Sequence, residues 1–321
     1  MIFLLLDFLV LLFGFAFLVK GADFLVDGAS SIAKKFNVSA LVIGLTIVAF
    51  GTSMPELIVN VFANINGNAG IAIGNVLGSN IANVLLILGI SAFLFPLKVA
   101  NSTVWKEIPL SFLAVIVLGF VANDALINGS PFSVISKGDG FVLLSFFAIF
   151  LYYTFGIARD NNSATSNVKE FSLGVSAFFI VLGIAALALG GKFVVDSAIV
   201  IATSFGVSET LIGLTVVAIG TSLPELFTSA IAALKKNSDI AVGNIIGSNI
   251  FNIFFILGIS SLLNDIPFSA SSNADLLMVG FTTFLLFGFL FVRKRFVLEK
   301  WHGLVFLLIY AEYLFLLILR G

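Results

Sequence analysis

The chain alternates long apolar runs with short polar breaks, and the runs have membrane-crossing length. Stretches of about 20 apolar residues recur from one end to the other, at 2–35, 38–64, 69–95, 107–123, 138–157, 171–204, 207–235, 240–262, 275–292 and 301–319. They lack the strict alternation of a transmembrane β-strand, so each predicts a helix. The expected fold is an all-α polytopic membrane protein with ten transmembrane helices. The first and sixth runs are long enough to lie tilted. The opening residues, Met1 to Asp7, carry no basic segment and no small-residue cleavage site, and read as part of a retained first span.

The pattern occurs twice. Asp27 and Asp196, Gly51 and Gly220, and Gly74 and Gly243 are each 169 residues apart, and residues 21–56 match 190–225 at 21 of 36 positions. Five spans per half is an odd number, so the second half must enter the membrane in the opposite orientation. That is the inverted-repeat plan in which a substrate site lies near the midplane on interrupted helices. The expected organisation is two inverted five-helix repeats, 1–160 and 171–321, with a polar linker at 161–170, forming one membrane domain.

Composition agrees, with 60% hydrophobic and 10% charged residues among 321. Charge placement adds an orientation. With both termini outside the cell membrane, the inner loops collect 12 Lys and Arg residues and the outer side only Lys137 and Arg320. Lys20 and Lys192 remain within spans, where Asp23 and Asp196 at helical spacing offer local ion pairs. The absence of cysteine excludes disulfides, thiolate metal sites and cysteine nucleophiles. The single histidine, His302 beside Trp301, reads as an interfacial anchor. No nucleophile is paired with a base, which argues against an enzyme. Nothing points to nucleic acid, a cofactor or an obligate protein partner; the bilayer itself is the expected surrounding.

Candidate chemistry sits where apolar runs are interrupted. Gly51-Thr52-Ser53-Met54-Pro55-Glu56 and Gly220-Thr221-Ser222-Leu223-Pro224-Glu225 each place a carboxylate inside a span, where an ionisable group is by default a functional residue. The prolines release the carbonyls of Gly51 and Gly220. A second pair of segments, Gly74 to Asn83 and Gly243 to Asn252, repeats Gly-Asn-x-x-Gly-Ser-Asn-x-x-Asn. Together the four segments offer the carboxylates of Glu56 and Glu225, the hydroxyls of Thr52, Ser53, Ser79, Thr221, Ser222 and Ser248, and the amides of Asn83 and Asn252. An all-oxygen set with two negative charges suits Ca²⁺ or Na⁺, fits Mg²⁺ less well, and is a poor zinc or copper site.

These paired motifs, in opposed repeats over essentially the whole chain, resemble the calcium/cation antiporter superfamily in its sodium/calcium exchanger branch. The resemblance implies a ten-helix antiporter exchanging Ca²⁺ for Na⁺ by alternating access. Glu56 and Glu225 would ligate Ca²⁺ with the carbonyls of Thr52 and Thr221. Na⁺ sites would use the carbonyls of Ala49 and Ala218 with Ser53, Ser79, Ser222 and Ser248. The long first and sixth helices would slide across a static core. Many members of that branch carry aspartate where this chain has Asn252. Two glutamates balance one Ca²⁺ or two Na⁺, which argues against a third Na⁺ and against potassium dependence. The alternative is Ca²⁺/H⁺ antiport through the same glutamates, although the superfamily's proton branch generally has Gly-Asn in place of Gly-Thr-Ser.

Overall fold

The computed structural model describes residues 2–157, 169–205 and 218–320. Most of the expected linker and the residues 207–217 of the expected seventh span lie outside the described residues. Among those described, eight helices are long and apolar enough to cross a membrane, and a bent helix pair forms a further candidate span. The helices of more than five residues are α1 (Ile2–Lys35), α2 (Ala40–Thr52), α3 (Met54–Ile65), α4 (Ala69–Leu94), α5 (Thr103–Val121), α6 (Lys137–Ile157), α7 (Leu173–Ser204), α8 (Leu223–Leu234), α9 (Ser238–Leu263), α10 (Ser272–Phe289) and α11 (Lys300–Arg320).

Two helices form the centre. The most apolar stretches of α4 and α9 have 78% and 94% of their residues inside the protein, against 22–39% for the other spanning helices. Side chains such as Leu77, Leu85, Ile245 and Phe254 fill the space between them and their neighbours. The small and polar residues of the two Gly-Ser-Asn segments are therefore the middle of the bundle.

The longest helices, α1 and α7, lie against one another along their length. A Cβ on Gly14 would stand 3.0 Å from the Gly190 carbonyl oxygen, one on Gly21 2.9 Å from that of Gly183, and one on Gly28 2.7 Å from that of Ser176. The contacts climb one helix as they descend the other, so the pair is antiparallel. Small residues at these crossings let the backbones touch. Lys235 at the end of α8 bonds Asp27 at 2.6 Å and Asp23 at 2.8 Å. Asp23 thus pairs across the fold with Lys235 rather than with Lys20 as expected, while Lys192 and Asp196 pair locally at 2.6 Å. In the last turn of α1, Lys34 closes at 2.7 Å on Glu170, which precedes α7, and holds that carboxyl below its ordinary range.

The helices are not regular. One π-helical turn interrupts each of α2 (Gly44–Val48), α4 (Asn83–Leu88) and α9 (Phe251–Ile256), and another opens α5 (Thr103–Glu107). Four two-residue strands also form, β1 (Leu97–Lys98), β2 (Val134–Ile135), β3 (Ile266–Pro267) and β4 (Val297–Leu298). They pair antiparallel as β1 with β4 and β2 with β3, each joining a loop of the first half to one of the second. Their apolar members at Leu97, Ile135, Ile266 and Leu298 are fully buried, which pins the register.

Candidate cation site

The site begins with two helix breaks. Ser53, at φ −85° and ψ 6°, separates α2 from α3, and the two helix axes differ by 46°. Ser222 has φ −88° and ψ 5° ahead of α8. Pro55 and Pro224 occupy the first turn after each break, where a missing N–H costs no hydrogen bond. The motif glycines give room for α7: a Cβ on Gly51 would lie 2.5 Å from Ile184, and one on Gly220 2.2 Å from Val195.

Both glutamates are 1% exposed. Each is served by the other half of the chain. Ser53 Oγ lies 2.9 Å from Glu225 Oε1 and 2.9 Å from Ser248 Oγ. Ser222 Oγ lies 3.4 Å from Glu56 Oε1 and 3.2 Å from Ser79 Oγ. Ser248 Oγ also reaches Glu225 Oε1 at 3.4 Å. The Thr hydroxyls cross over in the same way, Thr52 donating to Asn244 Oδ1 at 3.0 Å and Thr221 to Asn75 Oδ1 at 3.3 Å.

Four asparagines lock the central helices. Asn83 Nδ2 donates to Asn249 Oδ1 and Asn252 Nδ2 to Asn80 Oδ1, both at 2.9 Å. The two bonds interchange under the 169-residue register, a pseudo-twofold relation between chain halves. They commit the amide nitrogens of Asn83 and Asn252 and leave the Oδ1 of each without a donor. Glu56 Oε2 and Glu225 Oε2 are likewise buried without a partner. The oxygens without a donor are thus two carboxylate and two amide acceptors, which is what a hard cation takes up. Among the described residues no cluster of three or more His, Cys, Asp or Glu side chains could hold a metal. A cation here relies on two carboxylates and neutral oxygens.

Of the expected residues, Thr52, Ser53, Glu56, Ser79, Thr221, Ser222, Glu225 and Ser248 join this network, and Asn83 and Asn252 border it. The Ala49 carbonyl receives the Ser53 N–H at 3.0 Å, and the Thr52 hydroxyl, whose one proton has the shorter contact with Asn244, lies 3.3 Å from it. Ala218 starts the short turn Ala218–Gly220 beside the second break. Asn75, Asn80, Asn244 and Asn249 also belong to the network, beyond the residues that the sequence alone points to. Their signal was the repeated motif's own asparagines. His302 is fully buried and its Nδ1 accepts the Glu299 N–H at 2.9 Å, so it is a packed residue rather than an interfacial anchor.

A bundle of apolar helices built around a buried, oxygen-rich cluster at paired helix breaks defines a multi-pass integral membrane protein. The model of the sodium/calcium exchanger protein family matches residues 6–156 and 175–319, and the chain belongs to that family, whose members are transporters. It is 37% identical to sodium/calcium exchanger MaX1 of Methanosarcina acetivorans over 97% of this chain and 98% of that protein. It is 38% identical to the putative antiporter CaxA of Alkalimonas amylolytica over 90% of this chain and 91% of that protein. A solved structure of the sodium-calcium exchanger NCX_Mj superposes with a TM-score of 0.83 at 34% identity, covering 96% of this chain and 97% of that one.

Proposed function

We propose that this chain is a secondary-active antiporter that exchanges Ca²⁺ for Na⁺ across the cell membrane by alternating access. Glu56 and Glu225 hold Ca²⁺ together with oxygens of Thr52, Thr221, Asn83 and Asn252, and Na⁺ occupies overlapping positions formed by Ser53, Ser79, Ser222, Ser248 and the carbonyls of Ala49 and Ala218. The observation that carries this reading is the set of four buried acceptor oxygens with no donor. A purely structural role would leave them hydrogen-bonded. The reading includes ten spans in two inverted five-helix repeats, with both termini outside. The antiparallel α1–α7 pair and the interchanging Asn83–Asn249 and Asn252–Asn80 bonds support it.

Because the glutamates would share one cargo, either two Na⁺ or one Ca²⁺ balances them, and only one occupant fits at a time. Ca²⁺/H⁺ exchange is the second reading, favoured by the same paired, fully buried carboxylates, which two protons neutralise as completely as one Ca²⁺. Purified protein in sealed vesicles separates the two. Vesicles loaded with Na⁺ and diluted into Na⁺-free buffer should take up Ca²⁺, and a pH gradient alone should not drive uptake. Glu56→Gln and Glu225→Gln should each abolish uptake, with Ca²⁺ affinity weakened by more than about 100-fold, since removing one partner of a buried charge pair costs about 3–5 kcal/mol. Uptake driven by the pH gradient would select proton coupling, and normal uptake by either variant would overturn the site.

A further inference from the structure

On α3, Asn60 and Asn64 follow Glu56 at intervals of four residues, so the three polar side chains share one helix face. Their exposures are 1% for Glu56, 0% for Asn60 and 1% for Asn64. Asn60 has no hydrogen-bond partner at either Nδ2 or Oδ1. A primary amide left unpaired at both ends weakens a packed interior, and no contact of the fold accounts for its presence there.

The stripe continues to the surface. Asn64 Nδ2 donates to the carbonyl oxygens of Ser260 at 2.6 Å and Asn264 at 2.7 Å, and Asn264 Nδ2 donates back to the Asn64 carbonyl at 3.4 Å. Asn264 is exposed. Ser260 is fully buried, and its hydroxyl is also without a partner. Polar groups thus lead from exposed Asn264 through Asn64, Ser260 and Asn60 to Glu56.

The second half provides an internal comparison. In the 169-residue register Asn60 corresponds to Ser229, Asn64 to Ala233 and Asn264 to Phe95. Ser229 Oγ accepts the Asn244 amide at 3.0 Å, and Ala233 and Phe95 are apolar. Ser260 corresponds to Ser91, whose hydroxyl is likewise buried without a partner, but with Ser229 bonded and Ala233 and Phe95 apolar, the continuous stripe from a glutamate to the surface exists on one side only.

We propose that Asn60 is a transit site, where a hard cation with part of its water shell pauses between Glu56 and the Asn64–Asn264 end of the stripe. The Oδ1 atom supplies a ligand to the cation, and Nδ2 donates to a ligand or water beside it. The Asn64–Asn264 bonds close the outer end and part for passage. This inference rests on the glutamate pair being the cargo site.

The test compares wild type with Asn60→Leu, which resembles the amide in shape but offers no polar atom. Three quantities are measured: the initial rate of Na⁺-driven Ca²⁺ uptake into vesicles, the equilibrium Ca²⁺ affinity of the purified protein, and the thermal unfolding midpoint. Uptake should slow by at least about tenfold at unchanged affinity, with the midpoint equal to or above that of wild type. Asn60→Ser, which keeps a polar group, should restore much of the rate. Unchanged uptake by Asn60→Leu overturns the proposal. So does a fall in affinity matching the fall in rate, which would make Asn60 part of the Glu56 site, or a lowered midpoint, which would make it structural. If Asn60→Leu does not fold, Asn60→Ala decides: slower uptake at unchanged affinity supports the transit site, and wild-type uptake overturns it. Failure of the underlying reading is separately visible, because wild-type vesicles would then show no Na⁺-driven uptake at all.

Discussion

Ser53 precedes Glu56 by three residues in the chain, yet its hydroxyl lies 2.9 Å from Glu225, in the other half. The serines therefore cross-link the two halves as well as donate to a carboxylate. Ser53→Ala leaves Glu225 Oε1 with only the longer Ser248 contact, and should weaken Ca²⁺ binding about 10- to 100-fold, the usual effect of losing an orienting partner; calorimetric titration of the purified, folded protein checks it. Asn252 makes a second prediction. Its Nδ2 holds Asn80 and its Oδ1 is unpartnered, so Asn252→Asp adds a negative charge where a cation would sit and removes a donor. The number of Na⁺ moved per Ca²⁺ should rise, as read from the reversal potential of uptake in voltage-clamped vesicles; an unchanged ratio would place Asn252 outside the cargo site. The glutamates, serines and threonines were legible in the sequence because a polar hexapeptide inside an apolar span has no ordinary explanation. The pairing of Thr52 with Asn244 was not, since nothing local to either residue names a partner 192 positions away.

Helix α7 shows what one element contributes. Two of its glycines, Gly183 and Gly190, face α1 at distances that leave no room for a side chain: a Cβ on Gly183 would stand 2.7 Å from the Leu25 nitrogen and 2.8 Å from the Gly21 carbonyl oxygen. Gly183→Leu should separate the pair and destabilise the protein by about 1–3 kcal/mol, seen as a lower unfolding midpoint in detergent. If the two helices slide as a unit during transport, the same variant should also slow exchange at unchanged Ca²⁺ affinity. Elements were largely legible, because length and hydropathy locate a span whatever packs against it. The π-turns were not. A single extra residue in a turn leaves no mark on an apolar pattern, and one of these turns begins at Asn83 itself, where it re-aims the side chains that follow.

At the scale of the molecule, the proposed orientation with both termini outside, drawn from Lys and Arg placement, would put Ser130, in the partly exposed loop between α5 and α6, on the outer side. A cysteine introduced there, in a chain that has none, should react with a membrane-impermeant thiol reagent applied to intact cells; labelling from the cytoplasmic side alone would invert the topology. The sequence by itself determined the membrane class, the twofold repetition and the two carboxylates, because each is written in composition, register or a local anomaly that needs no folded context. Only the tertiary structure decided which oxygens are spent on hydrogen bonds and which are left without a donor. That outcome depends on four helix segments from both halves meeting at one depth, so that Asn249 and Asn80 take the amide hydrogens of Asn83 and Asn252 and leave the acceptor atoms bare. The same meeting leaves Asn60 unpaired while its counterpart Ser229 is satisfied, a difference that the near-identity of the two halves conceals until they are packed together.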